Sequence, residues 1–197
     1  QVTTPVNTDG GKLTGFERMW NAYPAPNGEA AEAKGIIGGD VNAEWLTNTC
    51  VIRVSRSLNY SGHPIPSGFK GLSTARGADG LRYAFRVEEF RKYLLFMYGP
   101  PSFSEEREPP RAEPPASFVG QAGVICFRVK GWVDATGHID LWDGEKCCHA
   151  EYFAKAYAVQ LWSVARGGDA RLARGAESVP ISGSVGQGGK NEPQDVA

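Results

Sequence analysis

Two residue types in this sequence could carry out covalent chemistry together, a cysteine at the start of a predicted helix and a histidine at the start of a predicted strand. Within residues 48–58, Asn48 or Thr49 can supply the oxygen of an N-cap, and apolar residues then recur at helical spacing. Cys50 falls in the first helical turn, where free backbone N–H groups and the helix dipole stabilise a thiolate. Because cysteine is also among the most buried residue types, this segment alone leaves a core role and a nucleophilic role open.

The candidate partner of the thiol is His138, in the alternating run from Gly137 to Trp142. On an extended strand His138 and Asp140 project from the same face. An imidazole that takes the thiol proton and returns it to a leaving amine makes a Cys–His pair suited to cutting an amide. A third polar group must orient the ring, either Asp140 or His149, which lies beyond the Asp143-Gly144 turn. Neighbouring side chains on one strand project roughly in parallel, so the pattern favours His149, which hairpin pairing would bring alongside His138.

The whole chain predicts one mixed domain with unstructured ends. Its 197 residues, 41% of them hydrophobic, suffice for one core of ordinary size. Residues 1–12 and 167–197 lack an apolar period and predict a flexible lead and tail around a single domain at 13–166. Helical patterns precede the proline-rich residues 101–115 and strand patterns follow them, which indicates an α+β fold with antiparallel strands.

Individual elements can be placed from their periodicity. Helices are predicted at 14–23, with Thr14 and Glu17 as a capping box, and at 86–99. Strands are predicted at 122–129, 138–142 and 159–164, whereas 71–80 is predicted to be a loop. The mixture of proline and charged residues at 101–115 predicts a surface insertion that shapes a groove or docks a partner.

Charge and cysteine usage exclude several classes of function. With 21 Lys and Arg against 22 Asp and Glu, the net charge is -1, so no basic excess attracts nucleic acid or an anionic membrane. No apolar run approaches the roughly 20 residues of a spanning helix, and the first residues lack a signal-peptide pattern. We therefore expect synthesis in the cytoplasm and, for any work outside it, export by another route. Four cysteines without a paired C-x-x-C indicate neither a disulfide framework nor a zinc site.

Three separated motifs resemble one known family, in order and in spacing. They are Phe16-Glu17-Arg18-Met19-Trp20 with Tyr23-Pro24, Asn48-Thr49-Cys50 continuing to Arg53-Val54-Ser55, and Gly137-His138-Ile139-Asp140-Leu141-Trp142 with Gly144. Over most of residues 13–164 the chain resembles the type VI secretion amidase effector 4 (Tae4) family.

The resemblance implies a fold, a reaction and a set of partners. The fold would be papain-like, of the NlpC/P60 class, with the nucleophile helix packed on an antiparallel β-sheet. The reaction would be hydrolysis of the amide between D-glutamate and diaminopimelate in the peptidoglycan stem peptide, with Cys50 as nucleophile, His138 as base and no metal or organic cofactor. The type VI secretion machinery would deliver the protein into the periplasm of a target bacterium, and a cognate immunity protein would block the site.

Two positions depart from the family pattern. The third catalytic residue is usually an aspartate where this chain has His149, and the wider NlpC/P60 class accepts histidine in that role. Some members carry a C-x-x-x-C disulfide nearby, but here Cys147 and Cys148 are followed by Glu151 where the second cysteine would be. That disulfide is therefore not expected.

Two other readings of the sequence remain. A related CHAP-type or transglutaminase-like thiol enzyme would act on a different amide. A non-enzymatic wall-binding module would instead use exposed tryptophans as a stacking surface, drawn from Trp45, Trp132, Trp142 and Trp162. We expect Trp45 to be a packing anchor, which argues against the second reading.

Overall fold

The structure is a computed structural model, and it describes residues 11–132 and 136–166. The expected tail at 167–197 and all but Gly11 and Lys12 of the expected lead lie outside the described residues. The elements are α1 (Phe16–Ala22), α2 (Ala30–Ile37), α3 (Cys50–Asn59), β1 (Thr74–Arg76), β2 (Arg82–Ala84), α4 (Val87–Tyr98), β3 (Phe103–Glu106), β4 (Gly123–Val129), β5 (Gly137–Trp142) and β6 (Ala156–Ser163). In this part of the chain no helix is long and apolar enough to cross a membrane.

An antiparallel sheet with strand order β3-β6-β4-β5 forms the centre of the fold. The inner strand β4 is buried on both faces, which explains its nearly continuous apolar run. Cys126 and Val124 pack on the face that carries α3 and α4, whereas Phe127 and Ile125 pack on the opposite face against Phe118, Trp142 and Phe153. Strand β5 forms one edge of the sheet.

Helix α3 lies against the sheet through one apolar face. Val51, Val54 and Leu58 are fully buried in the same cluster as Ile139 and Leu141 of β5. Removing this face from water stabilises the helix in one position. The first residue of α3, Cys50, is thereby held beside the edge strand that carries His138.

The start of α1 differs from the prediction. Gly15, with φ 80°, precedes the helix, and no side chain caps it. The capping box of Thr14 and Glu17 is wrong because the backbone of Thr14 is engaged elsewhere. Thr14 forms a bridge with Ala165, and its N–H donates to Nε2 of His63 at 3.2 Å.

Two segments predicted to be irregular contain strands. Residues 74–76 pair with 82–84 in a small hairpin whose strands are too short to show an alternating period. Within 101–115, Phe103–Glu106 adds an edge strand to the main sheet by pairing with β6.

The insertion is anchored by Arg107, a single buried arginine. Its side chain is only 1% exposed and donates to the backbone carbonyls of Arg111 and Glu113 and to the carboxylate of Glu105. The segment therefore folds around one guanidinium, although its proline and charge content predicts only a solvated surface loop.

Candidate active site

Helix α3 begins at Cys50, as predicted, and its N-cap residue is Thr49, whose side chain makes no capping hydrogen bond. The Cys50 backbone N–H donates to Oδ1 of Asn48 at 3.1 Å, while the hydroxyl of Thr49 instead accepts from Nε of Arg53 at 3.2 Å. The Cys50 residue is 5% exposed. Its thiol thus sits at the positive end of the helix dipole.

His138 is the partner of this thiol. The thiol of Cys50 is a direct neighbour of the imidazole, since its interaction with the ring is among the causes that raise the pKa of His138. On its other side, Nε2 of His138 lies 3.2 Å from Oδ2 of Asp140. Because Nε2 faces the carboxylate, Nδ1 is the ring nitrogen left for the thiol. The ring also packs against Tyr152, with centroids 4.7 Å apart, and this contact restricts its rotation.

The environment of His138 favours its charged form. Burial alone would lower the pKa of the imidazolium, but the hydrogen bonds to Asp140 and Cys50 and the charges of both partners outweigh it and raise the pKa from 6.5 to about 9. The ring can therefore hold a proton at neutral pH and can deliver it to a leaving amine.

Asp140 is a fully buried carboxylate whose lone pairs are occupied by fixed donors. Oδ1 accepts from the N–H of Leu141 at 2.7 Å. Oδ2 accepts from the N–H groups of His149 at 3.2 Å and Ala150 at 2.9 Å, in addition to the His138 ring. Three backbone amides therefore hold the carboxylate in one orientation, so it can fix the ring of His138.

The expected pairing of His149 with His138 is not found. After the turn at 143–144 the chain forms only an isolated bridge at Cys147 and then bends around Asp140, so no second strand carries the His149 ring to the base. Its Nδ1 lies 2.9 Å from the backbone oxygen of Pro26. His149 thus contributes a backbone N–H to Asp140, and Asp140, the less favoured alternative, contacts the base.

The geometry of one strand explains why Asp140 reaches the base. Residues two apart on a strand have Cα atoms about 6.6 Å apart. An imidazole and a carboxylate that lean toward each other can close that gap to hydrogen-bond distance. Roughly parallel projection of two side chains on one strand therefore does not prevent a hydrogen bond between them, and the preference for His149 over Asp140 was wrong.

Tyr23 is a site residue that the sequence pattern marked only as part of an apolar helix face. It follows α1, is 4% exposed, and its hydroxyl has no hydrogen-bond partner in the described structure. Burial, followed by the charge of Asp140, raises the pKa of Tyr23 well above its usual value, and Cys50 acts in the same direction. The phenol is therefore a neutral, unused donor beside the catalytic groups.

Arg53 fastens the loop after Tyr23 to the nucleophile helix. Its guanidinium is 1% exposed and donates to the carbonyls of Pro24 at 3.1 Å, Gly28 at 3.0 Å and Ala25. The contact between His149 and Pro26 joins the same loop to the segment that holds Asp140. Tyr23, Cys50 and Asp140 thus belong to one rigidly connected unit.

The other three cysteines are free thiols in apolar surroundings. Burial raises the pKa of Cys126 and of Cys148 to about 12 and also raises that of Cys147. Thiols of this kind are inert because the thiolate is the reactive form. Within residues 11–132 and 136–166, no group of three or more His, Cys, Asp or Glu side chains is placed to hold a metal ion.

The four candidate tryptophans do not form one surface. Trp142 and Trp162 are buried in separate clusters, and Trp132 packs edge-on against Tyr152 at 4.9 Å. Trp45 is 61% exposed and touches Phe85 with an edge contact at 5.0 Å, so its prediction as a packing anchor is wrong. A shared stacking surface has no support in this arrangement.

Comparison with known proteins places the whole site within one family. The sequence model of the protein family described as "Type VI secretion system (T6SS), amidase effector protein 4" matches residues 46–162 of this chain. The matched range includes Cys50, His138, Asp140 and His149. The chain belongs to this family. It is therefore an amidase effector of type VI secretion, from a family of cysteine-type hydrolases that degrade peptidoglycan. A comparison with curated proteins finds no match.

Solved structures of family members have the same fold. Tae4 from Enterobacter cloacae is 33% identical, with 77% of this chain and 96% of that chain covered and a TM-score of 0.67. The Tae4-Tai4 effector-immunity complex from the same organism is 32% identical over 77% and 98% of the two chains, with a TM-score of 0.68. The corresponding complex from Salmonella Typhimurium is 28% identical over 78% and 99%, also with a TM-score of 0.68. The family resemblance and the α+β fold predicted from the sequence are confirmed.

Proposed function

We propose that this amidase cleaves the γ-D-glutamyl–diaminopimelate bond of the peptidoglycan stem peptide with Cys50 as nucleophile, His138 as base and acid, and Asp140 as the group that orients His138. The observation that carries the assignment is the chain of contacts from the Cys50 thiol through the His138 ring to the buried Asp140 carboxylate.

The reaction follows from the protonation states of these groups. The Cys50 thiolate attacks the γ-carbonyl carbon of D-glutamate, and the electron pair of the carbonyl moves onto its oxygen. Collapse of this intermediate breaks the C–N bond, and the His138 imidazolium gives its proton to the departing diaminopimelate amine. Neutral His138 then removes a proton from water, which attacks the thioester, and the thiol returns with release of the glutamate carboxylate.

Tyr23 supplies a donor for the oxyanion in this proposal. The Cys50 backbone N–H, the donor expected from the helix start, already bonds to Asn48. The Tyr23 hydroxyl lies among the same charged groups, has no partner and remains protonated because its pKa is raised. A preorganised neutral donor of this kind stabilises the charge that develops on the carbonyl oxygen.

Digestion of purified peptidoglycan tests the reaction directly. The wild-type protein should release a new diaminopimelate amine, identified by mass spectrometry of the products, and Cys50→Ala should release none. Cys148→Ala is the matched control because it removes a neighbouring thiol whose raised pKa keeps it unreactive. Products cut at a different amide would support a CHAP-type or transglutaminase-like enzyme, and an active Cys50→Ala protein would sink the assignment.

We also infer a cognate immunity protein and delivery into the periplasm of a target bacterium by the type VI secretion machinery. Support comes from the Tae4-Tai4 complexes of E. cloacae and S. Typhimurium, which pair similar effectors with an immunity protein. Residues 108–113 are the candidate docking element because they are exposed and held at their base by Arg107. An ordered loop loses little entropy on binding. Alanine substitution of Glu108, Arg111 and Glu113 should weaken immunity binding in calorimetry, and unchanged affinity would exclude this surface.

A further inference from the structure

A pair of cations stacks on one aromatic ring at the end of β4. The guanidinium of Arg128 lies 5.4 Å from the Tyr157 ring centroid, and Nζ of Lys130 lies 4.7 Å from it. The pairing of β4 with β6 shifts between Arg128 and Val129, which leaves Tyr157 outside the register. Such a bulge redirects a side chain, and here it places the ring where both cations contact it.

The sheet register places Arg128 opposite the residue that precedes the proposed base. Phe127 pairs with His138, so Arg128 pairs with Gly137, the residue immediately before the base. Side chains alternate along β4, so Arg128 projects from the same face as Cys126. That face carries α3, and Cys126 and Cys50 belong to one core cluster. Arg128 therefore lies one strand step, about 6.6 Å between Cα atoms, beyond Cys126 on this face. Burial raises the pKa of the Cys126 thiol, and the charges of both Arg128 and Cys50 also act on it, so both groups lie near Cys126.

The charge around this position is unbalanced in favour of cations. Arg91 of α4 is neutralised by Glu88, to which it donates at 2.9 and 2.7 Å. In contrast, no ion pair joins Arg128 or Lys130 to another described residue. The hydrogen bond and charge of Arg91, with a smaller contribution from Arg128, lower the pKa of Glu88. Because Glu88 is already paired with Arg91, the half-buried guanidinium of Arg128 is suited to binding an anion from outside.

We propose that Arg128, supported by Lys130, binds the free α-carboxylate of the D-glutamate residue whose γ-carbonyl Cys50 attacks. The inference rests on the proposed function. In a γ-linked glutamate the α-carboxylate stays ionised, and four carbon–carbon bonds of about 1.5 Å place it about 5 Å from the attacked carbon. This length is comparable to the strand step of about 6.6 Å that separates Arg128 from Cys126, which belongs to the same core cluster as Cys50. The guanidinium thereby distinguishes a γ-linked D-glutamate with a free α-carboxylate from a γ-linked D-isoglutamine, in which the α-carboxyl group is an amide.

Two soluble stem tetrapeptides that differ at one group test this proposal. One contains D-glutamate and the other D-isoglutamine, in which an uncharged amide replaces the α-carboxylate. The wild-type kcat/KM should favour the first by about 10- to 100-fold, the loss expected when a charge-assisted hydrogen bond is removed. Arg128→Met should lower kcat/KM on the carboxylate peptide by a similar factor and leave the amide peptide unchanged. Lys130→Met should reduce the preference less, because Lys130 is more exposed.

The controls separate this inference from the reaction itself. Arg76→Met removes an exposed arginine on the other, two-stranded sheet and should keep the wild-type preference. Equal wild-type rates on the two peptides would overturn the proposal, as would an Arg128→Met variant that slows on both peptides alike. If Arg128→Met does not fold, the wild-type comparison still decides, and Arg128→Lys should retain part of the preference. A wild-type protein that cleaves neither peptide, or an active Cys50→Ala protein, would instead refute the proposed function.

Discussion

Asp140→Asn is the most informative substitution because it keeps the shape of the side chain and removes its charge. In the best orientation the amide oxygen replaces Oδ2 and still accepts from His138, His149 and Ala150, which all bond to that atom. The new NH2 group then faces the N–H of Leu141, which was 2.7 Å from Oδ1, and two donors oppose each other. Such an unpaired buried donor lowers the free energy of unfolding by about 1–3 kcal/mol, and thermal melting can measure this loss.

The effect on catalysis should exceed the effect on stability. Asp140 is one of the two groups that raise the pKa of His138 to about 9, so the variant should have a lower pKa for the imidazolium. In the pH–rate profile, wild-type kcat/KM should fall above about pH 9 as His138 loses its proton. In the variant this fall, the alkaline limb of the profile, should begin nearer the ordinary histidine pKa of 6.5. We expect kcat/KM at the optimum to fall on the order of 100- to 10,000-fold.

The same pKa predicts how stability depends on pH. Because the folded-state pKa of about 9 exceeds the unfolded value near 6.5, protonated His138 stabilises the fold fully below pH 6.5. That contribution is lost as the pH rises from 6.5 through 9. Melting temperatures measured across this window should fall in the wild type and fall less in Asp140→Asn.

His149→Ala is the matched control for Asp140→Asn. It removes the ring bonded to Pro26 but keeps the backbone N–H that Asp140 accepts. We expect kcat/KM within about 10-fold of wild type and an unshifted alkaline limb, since the ring does not touch the base. The reasoning would be refuted if His149→Ala moved the limb and Asp140→Asn did not.

Three further substitutions test how the site is built. Tyr23→Phe should lower kcat about 100-fold with little change in KM, the signature of a lost oxyanion donor in steady-state kinetics; an unchanged kcat would remove Tyr23 from the mechanism. Arg53→Met removes the hydrogen-bond donor of three loop carbonyls, so it should lower the free energy of unfolding, measured with denaturant, by about 2–4 kcal/mol. An unchanged free energy of unfolding would show that the loop is stable without Arg53. Gly137→Ala would bring a Cβ onto the carbonyl oxygen of Phe127 and should displace β5, with loss of both stability and activity; wild-type behaviour would contradict the tight pairing of β4 and β5.

The periodic elements could be predicted because their patterns reflect burial on one or two faces. The apolar face of α3 and the continuous apolar run of β4 are each dictated by a large buried area, and both elements lie where expected. The same physics placed Cys50 at a helix start and His138 on a strand. The short hairpin of β1 and β2 had no comparable signal, since three residues cannot display a period.

Contacts made by the backbone limited prediction of the site. The choice between Asp140 and His149 depended on side chains, but three of the donors that hold Asp140 are backbone amides, which every residue except proline carries. Two of these amides, from His149 and Ala150, lie beyond β5. Their placement depends on how the chain bends after β5, and that bend has no residue-level signature. Tyr23 was equally invisible as a donor, because an aromatic residue next to a helix predicts packing until its hydroxyl is found without a partner.

The support of Asp140 by backbone amides changes what a substitution at position 149 means. A contact made through an amide N–H is independent of residue type, so position 149 can vary among non-proline residues while the carboxylate keeps its donor. A comparison that scores only the side chain at 149 would count this effector as lacking a third catalytic group. In this chain the path of the main chain holds the carboxylate in place, so only proline, which has no N–H to give, should disrupt the contact at position 149.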